Sequence, residues 1–229
     1  MDFSKFEETA GVEFKDKAIL RQAFTHRSYI NENRSSGLEH NERLEFLGDA
    51  VLELIITNYL YKRFPAMNEG ELTSLRSALV NADTCALVAQ KLGANDFLFL
   101  SKGESKDMGR ARQYILANTL EAVIGAIYLD QGIEASENFI LTHITPLTES
   151  IIENGTWTDA KSLFQEKAQE HESITPAYKT LHESGPDHDK KFTIGVYLGH
   201  DLVGQGEGKS KQDAEQDAAR DALKNKGWN

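Results

Sequence analysis

The stretch that decides the fold is residues 40–52, HNERLEFLGDAVL. An otherwise apolar segment here holds three carboxylates within eight residues, at Glu42, Glu45 and Asp49. Because an α-helix turns by about 100° per residue, these side chains fall within about 60° of one another. The apolar side chains fall on the opposite side, as a core-facing stripe should, at Leu44, Leu47, Val51 and Ile55. The segment predicts a helix that holds clustered negative charge beside a packed core.

The clustered carboxylates have two interpretations. Crowded carboxylates repel one another unless a proton or cation intervenes, and hard divalent cations prefer oxygen ligands, so one interpretation is a metal site. The other is an ordinary solvated face, the usual meaning of a short acidic motif on a helix. Two features favour the metal. Few basic residues lie four positions away to form ion pairs, and Gly48 occupies the helix interior, where glycine costs about 1 kcal/mol relative to alanine. That glycine indicates the close approach of another backbone or of a ligand.

Composition bounds the class of protein. The 229 residues, 40% of them hydrophobic, are enough for one large or two modest domains. A net charge of −11 argues against a protein that coats nucleic acid by bulk electrostatics, so any such surface must be a local basic patch. The single cysteine, Cys85, can form no internal disulfide and is expected to be a small core side chain. With no signal pattern and no long apolar run, we expect a cytoplasmic protein with no membrane partner.

The periodicity of the sequence changes between the two halves. Apolar residues recur at three and four positions in the first half, over 18–24, 44–61, 72–92, 113–129 and 133–152. After Pro176 the period becomes two, which predicts strands near 178–181, 192–198 and 202–206, with helices before and after them. We therefore predict an all-α domain at 1–152, a linker at 153–158 and a small α+β domain of order α-β-β-β-α at 159–227.

A metal cluster needs ligands from a second element, and residues 115–130 supply a candidate. Asn118 and Glu121 are three positions apart and share a helical face. On composition alone Glu121 could equally be an ordinary exposed glutamate. Beside Glu45 and Asp49 it could complete a cage of oxygen ligands, and the absence of a Glu-x-x-His motif argues against a di-iron site.

These segments carry a resemblance to the ribonuclease III family. Residues 40–52 resemble its signature, and three further segments resemble its other motifs in the family's order: 20–28 (LRQAFTHRS), 69–76 (EGELTSLR) and 116–130. The second half resembles the double-stranded RNA-binding domain that follows in bacterial members. The resemblance implies a multidomain protein, with an all-α ribonuclease III endonuclease domain followed by a small α+β double-stranded RNA-binding domain.

The resemblance also implies the chemistry. A magnesium-dependent endoribonuclease would cleave double-stranded RNA to 5′-phosphate and 3′-hydroxyl ends, processing ribosomal-RNA precursors and structured messenger RNAs, and Mn²⁺ would substitute for Mg²⁺. By position, the implied metal ligands are Glu45, Asp49, Asn118 and Glu121. Asp49 and Glu121 would be the catalytic pair, supported by Glu42, and Glu69 matches an acidic position at the edge of the cleavage site.

Asn118 departs from the family pattern, which usually has aspartate there. Its carbonyl oxygen can still ligate a metal, but one negative charge is lost. We expect a working enzyme with weakened metal affinity. The alternative is a cleavage-impaired relative that only binds double-stranded RNA. A third reading, a metal-dependent phosphohydrolase for small molecules, leaves the α-β-β-β-α domain without a role.

Phe46 lies away from the apolar stripe of its helix and nearer the carboxylates. One interpretation is a second buried contact within its own domain. The resemblance implies instead that Phe46 fills a socket on a partner subunit, in a homodimer formed through the endonuclease domain. A two-fold dimer would place two sites across an RNA duplex, one per strand.

Three surfaces of the second domain are implied to contact RNA. Double-stranded RNA is read through shape, phosphates and 2′-hydroxyls over about 16 base pairs. The implied contacts are Gln165 and Glu166 on the first helix, His188 in the loop GPDH, and Lys209, Ser210, Lys211 and Gln212 at the start of the last helix. Family members often have lysine at Gln212 and a basic residue at Glu215. From residue 159 onward 13 acidic residues outnumber 10 basic ones, so we expect modest affinity with a shallow salt dependence.

Overall fold

The structure, a computed structural model, describes residues 2–155, 157, 159–186 and 190–228. It separates into two units, Met1–Trp157 and Thr158–Asn229, and the dividing point lies inside the segment expected to be a linker. Across the described residues, no helix is both long and apolar enough to cross a membrane.

The first unit is helical, which confirms the predicted all-α fold. Phe6, Phe24 and Phe97 pack together in its core, and Trp157 lies against the same core. The helices are α1 (Ser4–Ala10), α2 (Lys17–Ala23), α3 (Arg27–Glu32), α4 (Glu42–Arg63), α5 (Glu69–Val80), α6 (Ala82–Lys91), α7 (Arg110–Gln131), α8 (Ile133–His143) and α9 (Thr148–Glu153).

The apolar spacing that continues over 72–92 spans two helices, α5 and α6, because α5 ends just before Asn81. The backbone of Asn81 is extended, and its side-chain oxygen accepts a hydrogen bond from the Thr84 amide at 2.9 Å, which begins α6 as a new helix. Asparagine favours such a cap because its side chain competes with the backbone for nearby N–H groups. The segment over 133–152 is also interrupted, by a short 3₁₀ turn, Thr145–Leu147, that contains Pro146.

Helices α4 and α7 cross in direct backbone contact. A Cβ atom on Gly48 would lie 1.7 Å from the Glu121 carbonyl oxygen, and one on Gly125 would lie 2.2 Å from the Leu44 carbonyl oxygen. The two backbones therefore touch where the helices cross, and only glycine fits on either side. The close approach predicted from Gly48 is confirmed, and the neighbour is another backbone.

The second unit has the predicted order α-β-β-β-α. Its elements are α10 (Ala160–Glu172), β1 (Ala177–Ser184), β2 (Lys191–Leu198), β3 (Asp201–Gly208) and α11 (Lys211–Lys226). The strands form an antiparallel sheet in the order β1-β2-β3. Strand β1 runs three residues beyond its predicted end, because residues 182–184 pair with β2 although they are exposed and lack an apolar pattern.

Small residues also bring the sheet of the second unit close to a helix. A Cβ atom on Gly206 would lie 2.0 Å from the Ala218 amide nitrogen of α11. The buried core contains Phe164 and Val196 together with the alanines of α11. Trp228, after the last helix, stacks on Phe164 with ring centroids 5.7 Å apart and on His171 at 5.0 Å.

Candidate active site and RNA-binding surfaces

The crossing of α4 and α7 brings the four predicted metal ligands into one cluster. Glu45 and Asp49 flank Gly48 on α4, and Glu121 lies on α7 with its carbonyl against that glycine. Asn118, one turn earlier on α7, hydrogen-bonds the Glu45 carboxylate. The glycine contact thus sets the spacing of oxygen donors from two helices.

The carboxylates of this cluster disfavour one another's charge. Burial, followed by the negative charges of Asp49 and Glu45, raises the pKa of Glu121 to about 8. Burial and the charge of Glu42 raise the pKa of Glu45, against which the hydrogen bond from Asn118 acts. Burial and Glu53 raise the pKa of Asp49. A bound cation would relieve this repulsion.

The donor set fits a cation that also takes ligands from water and substrate. Among the described residues, no group of three or more His, Cys, Asp and Glu side chains is arranged to hold a metal ion by itself. Magnesium usually keeps several waters and is bound by one or two carboxylates together with substrate phosphates. The carboxylates of Glu45, Asp49 and Glu121 and the amide oxygen of Asn118 offer that partial set.

Glu42 lies at the edge of the cluster, and its partners were missed by the sequence reasoning. Arg27 Nη1 of α3 lies 3.3 Å from Glu42 Oε1, and His40 Nδ1 lies 3.8 Å from Glu42 Oε2. Both residues lie inside the quoted motifs at 20–28 and 40–52, but a helical wheel of α4 alone does not show them. Arg27 therefore gives the acidic site a positive side chain.

Hydrogen bonds fix the segment that carries Arg27. Ser28 Oγ lies 2.8 Å from His26 Nδ1 and accepts a hydrogen bond from the Ser101 amide at 3.1 Å. The buried Asn41 side chain donates to the Ala23 carbonyl at 3.1 Å, and the Asn41 amide donates to the Thr25 carbonyl at 2.9 Å. These bonds tie the start of α3 to the start of α4.

Phe46 is 81% exposed, so the alternative of a buried contact within its own domain is wrong. Leu54 and Tyr61, also on α4, are 62% and 73% exposed. Together these three side chains form an apolar stripe along the helix. The far end of the stripe borders a groove of about 510 Å³ between α4 and α5, whose lining includes Thr57, Tyr61, Met67, Glu69, Leu72 and Arg76.

The predicted RNA contacts of the second unit lie on exposed surface. Gln165 and Glu166 line a shallow groove on α10, and Lys209 and Gln212 are exposed around the start of α11. Ser210 caps α11, since its side chain accepts a hydrogen bond from the Asp213 amide. His188 lies outside the described residues.

Several cations of the second unit already have acidic partners. Lys211 Nζ, one of the predicted RNA contacts, lies 3.3 Å from Glu183 Oε1. Glu215 Oε2 lies 2.6 Å from Lys161 Nζ. Further pairs are Lys167–Glu170, Lys226–Glu172 and Arg220–Asp217. The acidic residues of this unit thus neutralise many of the charges that could face phosphates.

Comparisons with known proteins cover both units. The family model described as Ribonuclease-III-like matches residues 16–147, and the Double-stranded RNA binding motif matches residues 160–226. The protein called Ribonuclease 3 in Protochlamydia amoebophila is 47% identical over 219 residues, covering 95% of this chain and 89% of that protein. Its counterpart in Pelotomaculum thermopropionicum is 46% identical over 213 residues, covering 93% and 88%.

A solved structure is similar to the first unit. The nuclease domain of ribonuclease III from Campylobacter jejuni is 41% identical, with a TM-score of 0.58, and the match covers 63% of this chain and 97% of that domain. That structure is described as showing flexibility in a region involved in dimer formation.

Proposed function

The chain belongs to the ribonuclease III family, and we propose that it is a magnesium-dependent endoribonuclease that cleaves double-stranded RNA to 5′-phosphate and 3′-hydroxyl ends. The observation that carries the proposal is the glycine crossing of α4 and α7, where Glu45, Asp49 and Glu121 interact electrostatically and Asn118 joins them. Mn²⁺ would substitute for Mg²⁺. Ribosomal-RNA precursors and structured messenger RNAs are the proposed substrates.

The residues of the site are proposed to have different roles. A magnesium ion, when bound, would supply an activated water and would neutralise charge that develops on the phosphate. Glu45, Asp49, Asn118 and Glu121 would hold it, with Asp49 and Glu121 as the catalytic pair. Glu42, whose carboxylate lies 3.3 Å from Arg27 Nη1, would support catalysis from the edge of the site. Because carboxylates repel an RNA phosphate, metal and substrate should bind cooperatively.

We propose that the second unit binds the RNA duplex. The match to a double-stranded RNA binding motif over residues 160–226 supports this role. Gln165 and Glu166 would contact one minor groove, His188 the next, and the start of α11 the phosphates between them through Lys209, Ser210, Lys211 and Gln212.

A homodimer through the first unit is also proposed. Phe46 and Tyr61 are 15 positions apart, or about 22 Å along a helix that rises 1.5 Å per residue. If two α4 helices cross antiparallel about a two-fold axis near Glu53 and Leu54, Phe46 of each copy faces Tyr61 and the apolar groove of the other. An isologous contact of this kind covers the exposed stripe on both copies. Glu69, which lines the groove, would then lie near the partner's site.

The single cysteine supports a reducing compartment such as the cytoplasm. Cys85 is buried, and it has no second cysteine with which to form an internal disulfide.

The direct test is incubation with a long RNA duplex and magnesium. The wild-type protein should release short duplexes with 5′-phosphates. Glu121→Gln should bind the duplex equally well in a filter assay and release none, because a charged ligand is lost while the RNA-binding unit is untouched. Binding without cleavage by the wild type would instead support the cleavage-impaired relative suggested by Asn118. If the wild type shows no binding and no cleavage, both the proposed endoribonuclease and the binding-only relative are refuted.

A further inference from the structure

Arg112 is a buried guanidinium in the first turn of α7. The residue is 6% exposed, and Nη1 donates to Asn95 Oδ1 at 2.9 Å while Nη2 donates to the Glu104 carbonyl at 2.7 Å. Its Nε is buried and finds no hydrogen-bond partner. No acidic side chain among the described residues forms an ion pair with it.

A contribution to local stability does not explain why an arginine is buried at this position. Arginine stays charged in proteins, and burying a charge without a counter-ion is unfavourable. A cation in the first turn of a helix also opposes the helix dipole. Its two hydrogen bonds reach irregular segments, the 3₁₀ turns Ala94–Phe97 and Glu104–Lys106. Arg112 therefore fastens the connection that precedes α7.

A continuous series of hydrogen bonds leads from that connection to the start of α3. The Glu104 amide donates to Ser101 Oγ at 3.2 Å, and the Ser101 amide donates to Ser28 Oγ at 3.1 Å. Ser28 lies next to Arg27 in the chain, and Arg27 contacts Glu42. The same helix that begins at Arg110 carries Asn118 and Glu121, so each end of the series lies on a helix or beside a residue that belongs to the candidate site.

We propose that Arg112 is a positioning residue for the cleavage reaction, which acts through Ser101 and Ser28 to hold Arg27, and with it Glu42, in register with Asn118 and Glu121. This inference rests on the proposed function. If Arg112 only stabilised the 94–106 region, its replacement would lower the melting temperature and leave the turnover of the folded protein unchanged. A positioning residue changes kcat in the folded protein, and its effect depends on Arg27.

The test compares Arg112→Met and Ser28→Ala, which break the series at its two ends, with Arg34→Met. Arg34 is exposed and has no described hydrogen-bond or ion-pair partner, so it controls for the loss of one arginine. We expect about a 10-fold fall in kcat for both test variants and little change in KM, because small misplacements of catalytic groups slow the reaction. Arg34→Met should match the wild type. If Arg112→Met does not fold, Ser28→Ala carries the same comparison.

A double-mutant cycle makes the test specific. In an Arg27→Met background, Arg112→Met should cause no further fall in kcat, since the group through which it acts is gone. The proposal would be overturned if kcat of the double variant fell by the product of the two single-variant factors. An unchanged kcat in folded Arg112→Met would overturn it as well.

Amide hydrogen exchange gives a second readout that needs no activity. Exchange at residues 26–28 and 101–104 should become faster in Arg112→Met, with α10 and α11 unchanged. Unchanged exchange at residues 26–28 would also overturn the proposal. If the wild type cleaves no RNA, the proposed function fails, and the exchange data still decide whether Arg112 holds α3.

Discussion

Both units contain a place where glycine lets two backbones touch, but the candidate functional side chains are arranged differently around it. In the first unit Gly48 and Gly125 bring α4 onto α7, and the acidic side chains flank that contact. In the second unit Gly206 brings β3 onto α11, and the predicted RNA contacts lie elsewhere, on exposed parts of α10 and around the start of α11.

The difference concerns how function depends on packing. In the first unit the candidate site depends on the contact, because the proposed donors lie on two helices and converge only while the helices touch. In the second unit the contact builds a scaffold, and the binding surfaces are spread over its outside. A small displacement should therefore abolish function in the first unit and only weaken the scaffold in the second.

Gly48→Ala and Gly206→Ala test this difference most strongly. Each new methyl group would overlap backbone atoms, so each variant should lose about 1–3 kcal/mol or more of unfolding free energy in its own unit. Under conditions where both variants are folded, Gly48→Ala should have lost cleavage, whereas Gly206→Ala should keep RNA binding. Urea titration, cleavage and binding assays measure these effects.

Gly103→Ala is the matched control for these glycine variants. A Cβ there would meet nothing closer than Ser101 Oγ at 3.8 Å, so stability and cleavage should be unchanged. If Gly206→Ala lost RNA binding to the same extent that Gly48→Ala lost cleavage, the two units would not differ in how their function depends on packing.

Phe46→Glu should separate the proposed dimer into monomers. The change puts a charge on a side chain that is 81% exposed in the single chain, so the fold should survive while a buried contact with a partner would not. Light scattering gives the mass, and a filter assay should show that each monomer still binds duplex RNA through its second unit. A dimer that persists in Phe46→Glu would contradict the assignment of this side chain.

Asn118→Asp should lower the magnesium concentration needed for half-maximal cleavage several-fold. The variant restores one negative charge at the α4–α7 cluster, where a cation is favoured. Calorimetric titration with magnesium gives a second measure that does not depend on RNA. An unchanged magnesium dependence in both measurements would show that Asn118 does not ligate the metal.

Glu183→Gln should produce the smallest effect, a slightly steeper salt dependence of RNA binding. The change frees Lys211, and each additional neutralised phosphate steepens the logarithmic slope by about 0.9. The wild type should show a shallow slope, because so many of its lysines are paired with acids. A steep wild-type slope would show that these ion pairs open when RNA binds.

Patterns within one element were predictable from the sequence, and contacts between elements were less so. The helical period predicted the acidic face of α4. Gly48 indicated that another backbone or a ligand comes close, but not that it is the backbone of α7. The period of two located the strands but not residues 182–184, which are held by pairing with β2. The break at Asn81 was hidden because apolar spacing continues across it and a single cap decides the boundary.

The candidate site shows the same limit. Its carboxylates lie on two helices with recognisable patterns. Spacing placed Glu45 and Asp49 on one face of α4, whereas Glu121 was selected only by the family resemblance. Arg27 and the Arg112 series depend on irregular segments whose course no periodicity describes. The ion pairs of the second unit likewise join residues far apart in the chain, such as Lys161 and Glu215.

The two tryptophans of the chain are divided between the units. Trp157 lies against the core of the first, and Trp228 stacks on Phe164 and His171 in the second. Replacing either one with phenylalanine leaves a single tryptophan, which belongs to one unit and can be excited selectively over the tyrosines. The protein thus carries its own optical labels, with which the unfolding of each unit and its response to RNA can be followed separately and without attached dyes.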